Sequence, residues 1–491
     1  VSNRILCGLF GALAALAVAS SAFAAAPRPN LVFILADDLG YGDLASYGHP
    51  RIRTPHLDRL AADGTRYLQY YSNSVCSPSR AALLTGQFPS RWQVYAHFAW
   101  LSENAKRGMP DWLDVRAPSF PRLLQQAGYH TAIFGKWHLG GGSGRTYAGK
   151  AINSADAPPP TAYGYHESRV FVGNGPNWRG TAPVEESHDT YVVEDGPFLA
   201  ASSRVIADAA LAYLERSQRE RPGQPFLLNV HFHDPHVPLR PTPAMLAPYS
   251  DIDDIGVRAY YAVVTEMDAQ IGRLLARLAE LGLSQNTLVV FTSDNGTPAR
   301  PPARNARRLS DTDTAGSNGP LRGWKWHLYE GGIRVPLIVR RPGVVPAGRV
   351  DATSVLNVCD FAPTFARLAG ATLPADYRPD GVDASAALRG APFTRAAPLF
   401  WHHPTATRRG PILALRAGDW KLLMEPDGTD AQLFNLAADP GEECNLARTE
   451  PARLDALRAQ LRTWAGTLPR PLDRVHERPG PHSPPAYIPS R

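Results

Sequence analysis

Cys76, Pro78 and Arg80 stand two residues apart, and the chain runs straight on through Ala81-Ala82-Leu83-Leu84-Thr85-Gly86. This spacing places a thiol at a loop-to-helix junction beside a guanidinium. A helix N-terminus and a neighbouring positive charge both favour the ionised thiol, so these residues by themselves allow a plain reactive cysteine. Other groups able to do chemistry lie far away along the chain: Asp37-Asp38, Lys136 and His138, Asp234-Pro235-His236, Asp294-Asn295, and Lys325. Each has an ordinary reading alone. Asp-Asp before a Gly turn usually makes the turn, Asp-Asn-Gly usually makes a hairpin or cap, and a lone His near Pro usually lies on the surface.

The elements that would carry them weaken those ordinary readings. Leu31 to Ala36, Thr287 to Thr292, Phe226 to Phe232 and Tyr129 to Phe134 are continuous apolar runs, as expected of buried parallel strands. Each is followed at once by one of the polar groups. Helical patterns lie between them, at Pro55 to Ala62, Phe120 to Ala127, Ala200 to Glu215, and Tyr260 to Leu281. This alternation predicts an α/β fold with a large, mostly parallel sheet flanked by helices. Such sheets bind ligands at the carboxyl ends of their strands, where the four segments would deliver Asp, Asn, His and Lys together.

Composition bounds the rest. With 44% hydrophobic and 20% charged residues, the 491-residue chain can bury a large core. A net charge of +6 and a pI near 9.1 are modest, the charge is spread rather than blocked, and no stretch resembles a nucleic-acid-binding motif. Arg4, an apolar run from Ile5 to Val18, and the small residues Ser20 to Ala26 read as a secretory signal peptide. The expected protein is therefore exported, periplasmic or secreted, and no later stretch is long enough for stable membrane insertion. Cys7 would leave with the leader. Cys359 and Cys444 make no disulfide framework; a bridge between them is open in an oxidising compartment, but both read first as small buried residues.

The chain resembles the formylglycine-dependent sulfatase family of the alkaline phosphatase superfamily, from Leu31-Val32-Phe33-Ile34-Leu35-Ala36-Asp37-Asp38 to Asp439-Pro440-Gly441-Glu442-Glu443-Cys444-Asn445-Leu446. The matching motifs include Cys76-x-Pro78-x-Arg80 with its LLTG continuation, and Thr54-Pro55-His56-Leu57-Asp58, where the family often has Asn in third place. Gly135-Lys136-Trp137-His138-Leu139-Gly140, Asp234-Pro235-His236, Ser293-Asp294-Asn295-Gly296, Lys325, Glu330 to Pro336, and Asp360-Phe361-Ala362-Pro363-Thr364 complete the set. The local wording is closer to arylsulfatases and N-acetylhexosamine-6-sulfatases than to steroid sulfatases.

The resemblance implies a sulfuric ester hydrolase in which Cys76 is oxidised, by a formylglycine-generating enzyme, to 3-oxoalanine (formylglycine). Asp37, Asp38, Asp294, Asn295 and the modified Cys76 match the family's metal ligands. An all-oxygen set of this kind suits Ca2+, with Mg2+ as a substitute, and disfavours zinc. One hydroxyl of the hydrated aldehyde, polarised by the cation and Arg80, would attack sulfur; the other would then lose its proton to His138 as sulfate departs. Lys136 matches the lysine that holds the diol, Lys325 the one that binds a sulfate oxygen, and His236 the group that protonates the leaving alcohol.

Residues 1–26 are thus read as signal peptide, 27–388 as the catalytic domain, and 389–491 as a C-terminal subdomain with a Pro-rich tail from Leu468. Within the last, Phe400 to His402, Ile412 to Arg416 and Trp420 to Met424 read as an antiparallel sheet, and Pro451 to Trp464 as an amphipathic helix. Substrate choice is expected from loops around the cleft: Tyr95 to Trp100, Gly140 to Ala162, and the basic stretch Arg300 to Arg322. A sulfated sugar or glycan is the expected substrate. Phosphonate monoester hydrolases and phosphodiesterases share the motif, but typically have His where this chain has Asn295. A non-catalytic glycan-binding relative would be expected to have lost some of these polar groups, and none is lost.

Overall fold

The computed structural model describes residues 28–140, 146–147, 150–151, 156–171, 173, 190–191, 202–299, 314–404 and 410–469. The expected leader, most of the basic loop and nearly all of the Pro-rich tail lie outside the described residues. A 9-stranded mixed sheet runs in the order Arg349–Asp351, Thr65–Tyr67, Leu337–Arg340, Thr287–Ser293, Asn30–Ala36, Phe226–His231, His130–Lys136, Glu167–Phe171, Thr190–Tyr191. From Thr287–Ser293 to Thr190–Tyr191 every neighbouring pair is parallel; Leu337–Arg340 runs antiparallel to both its neighbours.

The central strands read as unbroken apolar runs because both their faces are covered. Leu31, Phe33 and Leu35 enter one core, while Val32, Ile34 and Ala36 enter the other. The first core is closed by the helices Cys76–Thr85, Phe120–Gln126 and Phe361–Ala369, and the second by Pro55–Ala62, Ser202–Glu220 and Ile255–Glu280. The last of these starts five residues before its expected apolar stripe, because Asp254 accepts the Gly256 and Val257 amides at 3.0 and 3.1 Å and caps it.

Register aligns the carboxyl ends of four adjacent strands. Ala36 pairs with Ser293, Leu35 with His231, and His231 with Gly135, so Asp37, Asp294, His231 and Lys136 reach one edge. The strand expected to end at Phe134 continues through Lys136. Gly135 makes this possible: its φ is 105°, and a Cβ there would fall 1.9 Å from the His231 carbonyl oxygen.

A 4-stranded antiparallel sheet follows, Leu399–His402, Leu413–Ala417, Trp420–Met424 and Gln432–Asn435. The last strand went unread, since only Leu433 and Phe434 in it are apolar. The helix Pro451–Ala465 buries Leu454, Leu457, Leu461 and Trp464, as its pattern predicts. Phe400 stacks on Trp464 at 4.8 Å and Phe88 meets both edge-on, so this sheet shares a core with the Cys76 helix. A buried ionic link crosses the same boundary: Lys421 Nζ lies 2.9 Å from both the Glu330 and Glu442 carboxylates. Cys359 is buried, but Cys444 is exposed and neither is bridged, which corrects the reading of both as buried. Cys444 lies outside because its amide closes a turn onto Asp439 Oδ2 at 2.9 Å.

Candidate active site

Cys76 is the first residue of the helix Cys76–Thr85 and is 1% exposed. Its Sγ lies 3.4 Å from Asp37 Oδ1 and 3.7 Å from Lys136 Nζ. One helical turn on, Arg80 donates through Nε and Nη2 to Asp294 Oδ2 at 3.2 and 2.8 Å, and through Nη1 to the Lys136 carbonyl at 2.7 Å. Its Nη2 also stands 3.9 Å from Asp37 Oδ1. A guanidinium fixed at so many points is held in place before substrate arrives.

Asp37 pairs with Lys136, and Asp38 with Lys325, whose Nζ lies 2.6 Å from Oδ1 and 2.7 Å from Oδ2. Asn295 Nδ2 donates to Asp38 Oδ1 at 2.7 Å, and the Asp38 amide donates to Asp294 Oδ1 at 3.1 Å. All ten residues named from the sequence are buried. The four metal-ligand positions on strand ends, both lysines, Cys76 and Arg80 form one continuous set of contacts, and His236 Nε2 reaches Asp38 Oδ2 at 3.6 Å. His138 joins through the loop Tyr95 to Trp100.

Electrostatics follow from burial and the competing charges. Burial pushes the Asp37 carboxyl up, yet Lys136, Arg80 and Lys325 outweigh it and hold it well below the usual carboxylate range. Asp38 moves up through burial and its Asp37 neighbour, and Asp294 is pushed up to about 7 by burial and Asp37. Burial and the Asp37 charge also raise the Cys76 thiol. The helix N-terminus and Arg80 therefore do not yield a ready thiolate here, contrary to what their spacing alone suggests.

Two histidines present lone pairs of opposite tautomers. A carbonyl only accepts, so His138 Nε2, 3.0 Å from the Phe98 oxygen, carries the proton and leaves Nδ1 unprotonated; Nδ1 is buried without a hydrogen-bond partner among the described residues. His236 Nδ1 donates to the Val237 carbonyl, so its Nε2 lone pair faces Asp38. Burial and the nearby Lys136 push both imidazoles well below their ordinary value, which keeps them neutral.

Non-glycine residues with positive φ cluster here: Asp38 at 67°, His138 at 52°, and Trp326, next to Lys325, at 72°. Such conformations cost about 1–3 kcal/mol each and persist where surrounding contacts impose them; the other three, at Gln93, Asp430 and Glu442, lie away from the site. The sequence pointed to the loop Tyr95 to Trp100 for substrate choice but not to the link from Ser77 through the Phe98 backbone to His138, because backbone contacts between distant segments carry no spacing signal.

The donor set fits a hard cation. Asp37, Asp38, Cys76 and His236 offer ligand atoms within 4.8 Å of one another, and Asn295 Oδ1 is a buried acceptor with no hydrogen-bond partner among the described residues. The cluster takes in His236 and leaves out Asp294, whose carboxylate is held by Arg80 and by the Asp38 amide; its hard donors are the two carboxylates and Asn295 Oδ1, and an oxygen in place of the Cys76 sulfur would add to them.

Residues 29–371 match the Sulfatase family, and residues 322–464 match the family of N-sulphoglucosamine sulphohydrolase C-terminal regions. N-acetylgalactosamine-6-sulfatase of Canis lupus familiaris is 34% identical over 83% of this chain and 74% of its own length. Arylsulfatase A of Homo sapiens is 32% identical over 89% of this chain and 88% of its own. The crystal structure of Ps i-CgsB in complex with k-i-k-neocarrahexaose superposes with a TM-score of 0.74 at 26% identity, covering 91% of this chain and 95% of that one. On these likenesses the chain belongs to the sulfatase family and is a hydrolase of sulfuric esters.

Proposed function

We propose that this enzyme removes sulfate from a sulfated sugar or glycan, with Cys76 converted to formylglycine as nucleophile and a divalent cation held by Asp37, Asp38, Asp294 and Asn295. The observation that carries this reading is the position of Cys76 Sγ, between Asp37 Oδ1 at 3.4 Å and Lys136 Nζ at 3.7 Å, in a pocket where its own thiol is hard to ionise. The cation and the hydrated aldehyde would supply Lewis-acid polarisation and an oxygen nucleophile. Calcium suits the oxygen donors best.

The chain's own groups do the rest. Lys136 and Lys325 place two ammonium groups against the carboxylates, where a sulfate oxygen would exchange for a carboxylate contact. Arg80, braced by Asp294 and the Lys136 carbonyl, keeps a fixed positive charge beside residue 76. The free Nδ1 of His138 is set to take a proton, and the Nε2 edge of His236 is set to pass one to the departing alcohol. His236 is neutral in the arrangement described, so the acid role requires the incoming sulfate to offset Lys136 and Lys325 and restore its proton.

The sugar part of the proposal is supported by a relative named for N-acetylgalactosamine 6-sulfate and by a structural neighbour solved with a neocarrahexaose. Export, with the leader removed, belongs to the same proposal and is supported by the charged start and apolar run. The test is release of free sulfate from a panel of sulfated mono- and oligosaccharides, with phosphate esters alongside and peptide mass spectrometry on residue 76. Sulfate release by protein carrying formylglycine is the expected result. Full activity with an unmodified Cys76 thiol, or preference for the phosphate esters, would overturn it.

A further inference from the structure

The loop Tyr95 to Trp100 is held by its backbone, which leaves one side chain for another purpose. Ser77 Oγ accepts the Phe98 amide at 3.0 Å, Arg107 donates to the His97 carbonyl at 2.8 Å, and Asn104 brackets Ala99 through its amide at 2.8 Å and its carbonyl at 3.2 Å. Asn104 and Arg107 are themselves buried, so the loop has little freedom. His97 is half-buried, and no described residue hydrogen-bonds to its imidazole. Its ring centroid lies 6.2 Å from that of His138, with the planes tilted by 45°. It is thus the partly exposed neighbour of the buried His138 ring.

Its chemistry differs from that of the groups beneath it. Burial and the charges of Arg107, Lys325 and Lys136 push its proton off, so it is a neutral donor-acceptor among cations. The cations match the anionic sulfate; a neutral imidazole beside them matches a hydroxyl. We propose that His97 is a specificity-determining residue that hydrogen-bonds a hydroxyl of the sulfated sugar ring and so favours sugar sulfates over aryl sulfates. This rests on the sulfated-sugar reading above.

The test measures the ratio of kcat/KM for the best sugar sulfate of the panel to kcat/KM for 4-nitrophenyl sulfate, in wild type, His97→Leu and His97→Asn. One neutral hydrogen bond corresponds to a loss of about threefold to tenfold. His97→Leu is expected to lower the ratio by that factor, and His97→Asn, which keeps a donor and an acceptor, to recover part of it. Competitive inhibition by the desulfated sugar should weaken in parallel. An unchanged ratio, or equal losses in the Leu and Asn variants, would overturn the role of His97 while leaving the sugar reading intact. Turnover of the aryl ester with no sugar sulfate accepted would overturn both.

Discussion

His138 and Ser77 are joined through the backbone of one residue: Ser77 Oγ accepts the amide of Phe98 at 3.0 Å, and His138 Nε2 donates to the carbonyl of Phe98 at 3.0 Å. The residue immediately after the nucleophile position thus sets the tautomer of the imidazole that is to act as base. Any shift of the loop moves both ends together.

Ser77→Ala is therefore expected to lower kcat by roughly fivefold to tenfold, from the loss of one buried hydrogen bond that orients a catalytic group, with little change in KM. Cys76, Pro78 and Arg80 remain, so conversion of Cys76 should be undiminished by peptide mass spectrometry. Steady-state kinetics normalised to the converted fraction check this, and an unchanged kcat would show that His138 is oriented by other contacts.

His236→Ala should hurt sugar sulfates far more than aryl sulfates, whose phenolate leaves with little help, by a difference of about a hundredfold or more. His138→Ala should slow both classes alike, because its step follows departure of the alcohol. Rapid-quench assays should then show a burst of alcohol release without matching sulfate. Equal losses on the two substrate classes for His236→Ala would pass the acid role to Lys325 or to water.

Exhaustive chelation should abolish turnover and lower Tm, since a bound cation adds to the counter-charge that Lys136, Lys325 and Arg80 give Asp37, Asp38 and Asp294 and stabilises the fold that binds it. Added Ca2+ should restore both, and Asn295→Ala should raise the concentration of Ca2+ needed. Elemental analysis and thermal scans of the same samples decide it; a fully active protein free of Ca2+ and Mg2+ would remove the site.

The buried link across the two sheets predicts a pH signature of its own. Burial pushes the Glu330 carboxyl up, but Lys421, Arg334 and Arg416 hold it at about 2; burial and the Glu330 charge raise Glu442 to about 7. A carboxyl raised in the fold binds a proton more tightly there than in the unfolded chain, so its contribution to stability is largest near pH 4.5 and is lost as pH rises to about 7. Glu442→Gln should remove that slope, worth on the order of 2 kcal/mol across the window. Lys421→Met takes the nearest cation from Glu330, leaving Tyr71 at 2.6 Å and Arg334 at 3.3 Å, and should cost about 3 kcal/mol. Denaturant unfolding of wild type and both variants from pH 4.5 to 7.5 measures each effect.

The site was legible where a polar group follows an apolar strand. Asp37, Asp294 and Lys136 could be placed because parallel strands align their carboxyl ends, and that rule needs only local sequence to apply. Cys76 and Arg80 were legible from their spacing on a helix. What stayed hidden depends on contacts between distant segments. The Phe98 peptide that orients His138, the half-exposed ring of His97, and the Glu330–Lys421 pair are set by loop packing and by the docking of the second sheet. Gln432–Asn435 was missed because it needs its neighbour to become a strand, and the exposure of Cys444 was missed because a single turn decides it.

Asn295 touches Asp38 across 257 residues of chain, and the strands beneath them pair over a similar separation. Cys76 is sealed only when that late segment docks, so its burial is also a clock. A ribosome adding roughly 5–20 residues per second needs on the order of tens of seconds to pass from residue 76 to residue 295. On the reading that Cys76 is oxidised by another enzyme, that interval is the least time for which the thiol stays open, on a chain whose first strand still waits for its partner. Sequence separation in this fold thus sets how long the nucleophile can be made, and a variant that folds its first half early would emerge complete in shape and inert.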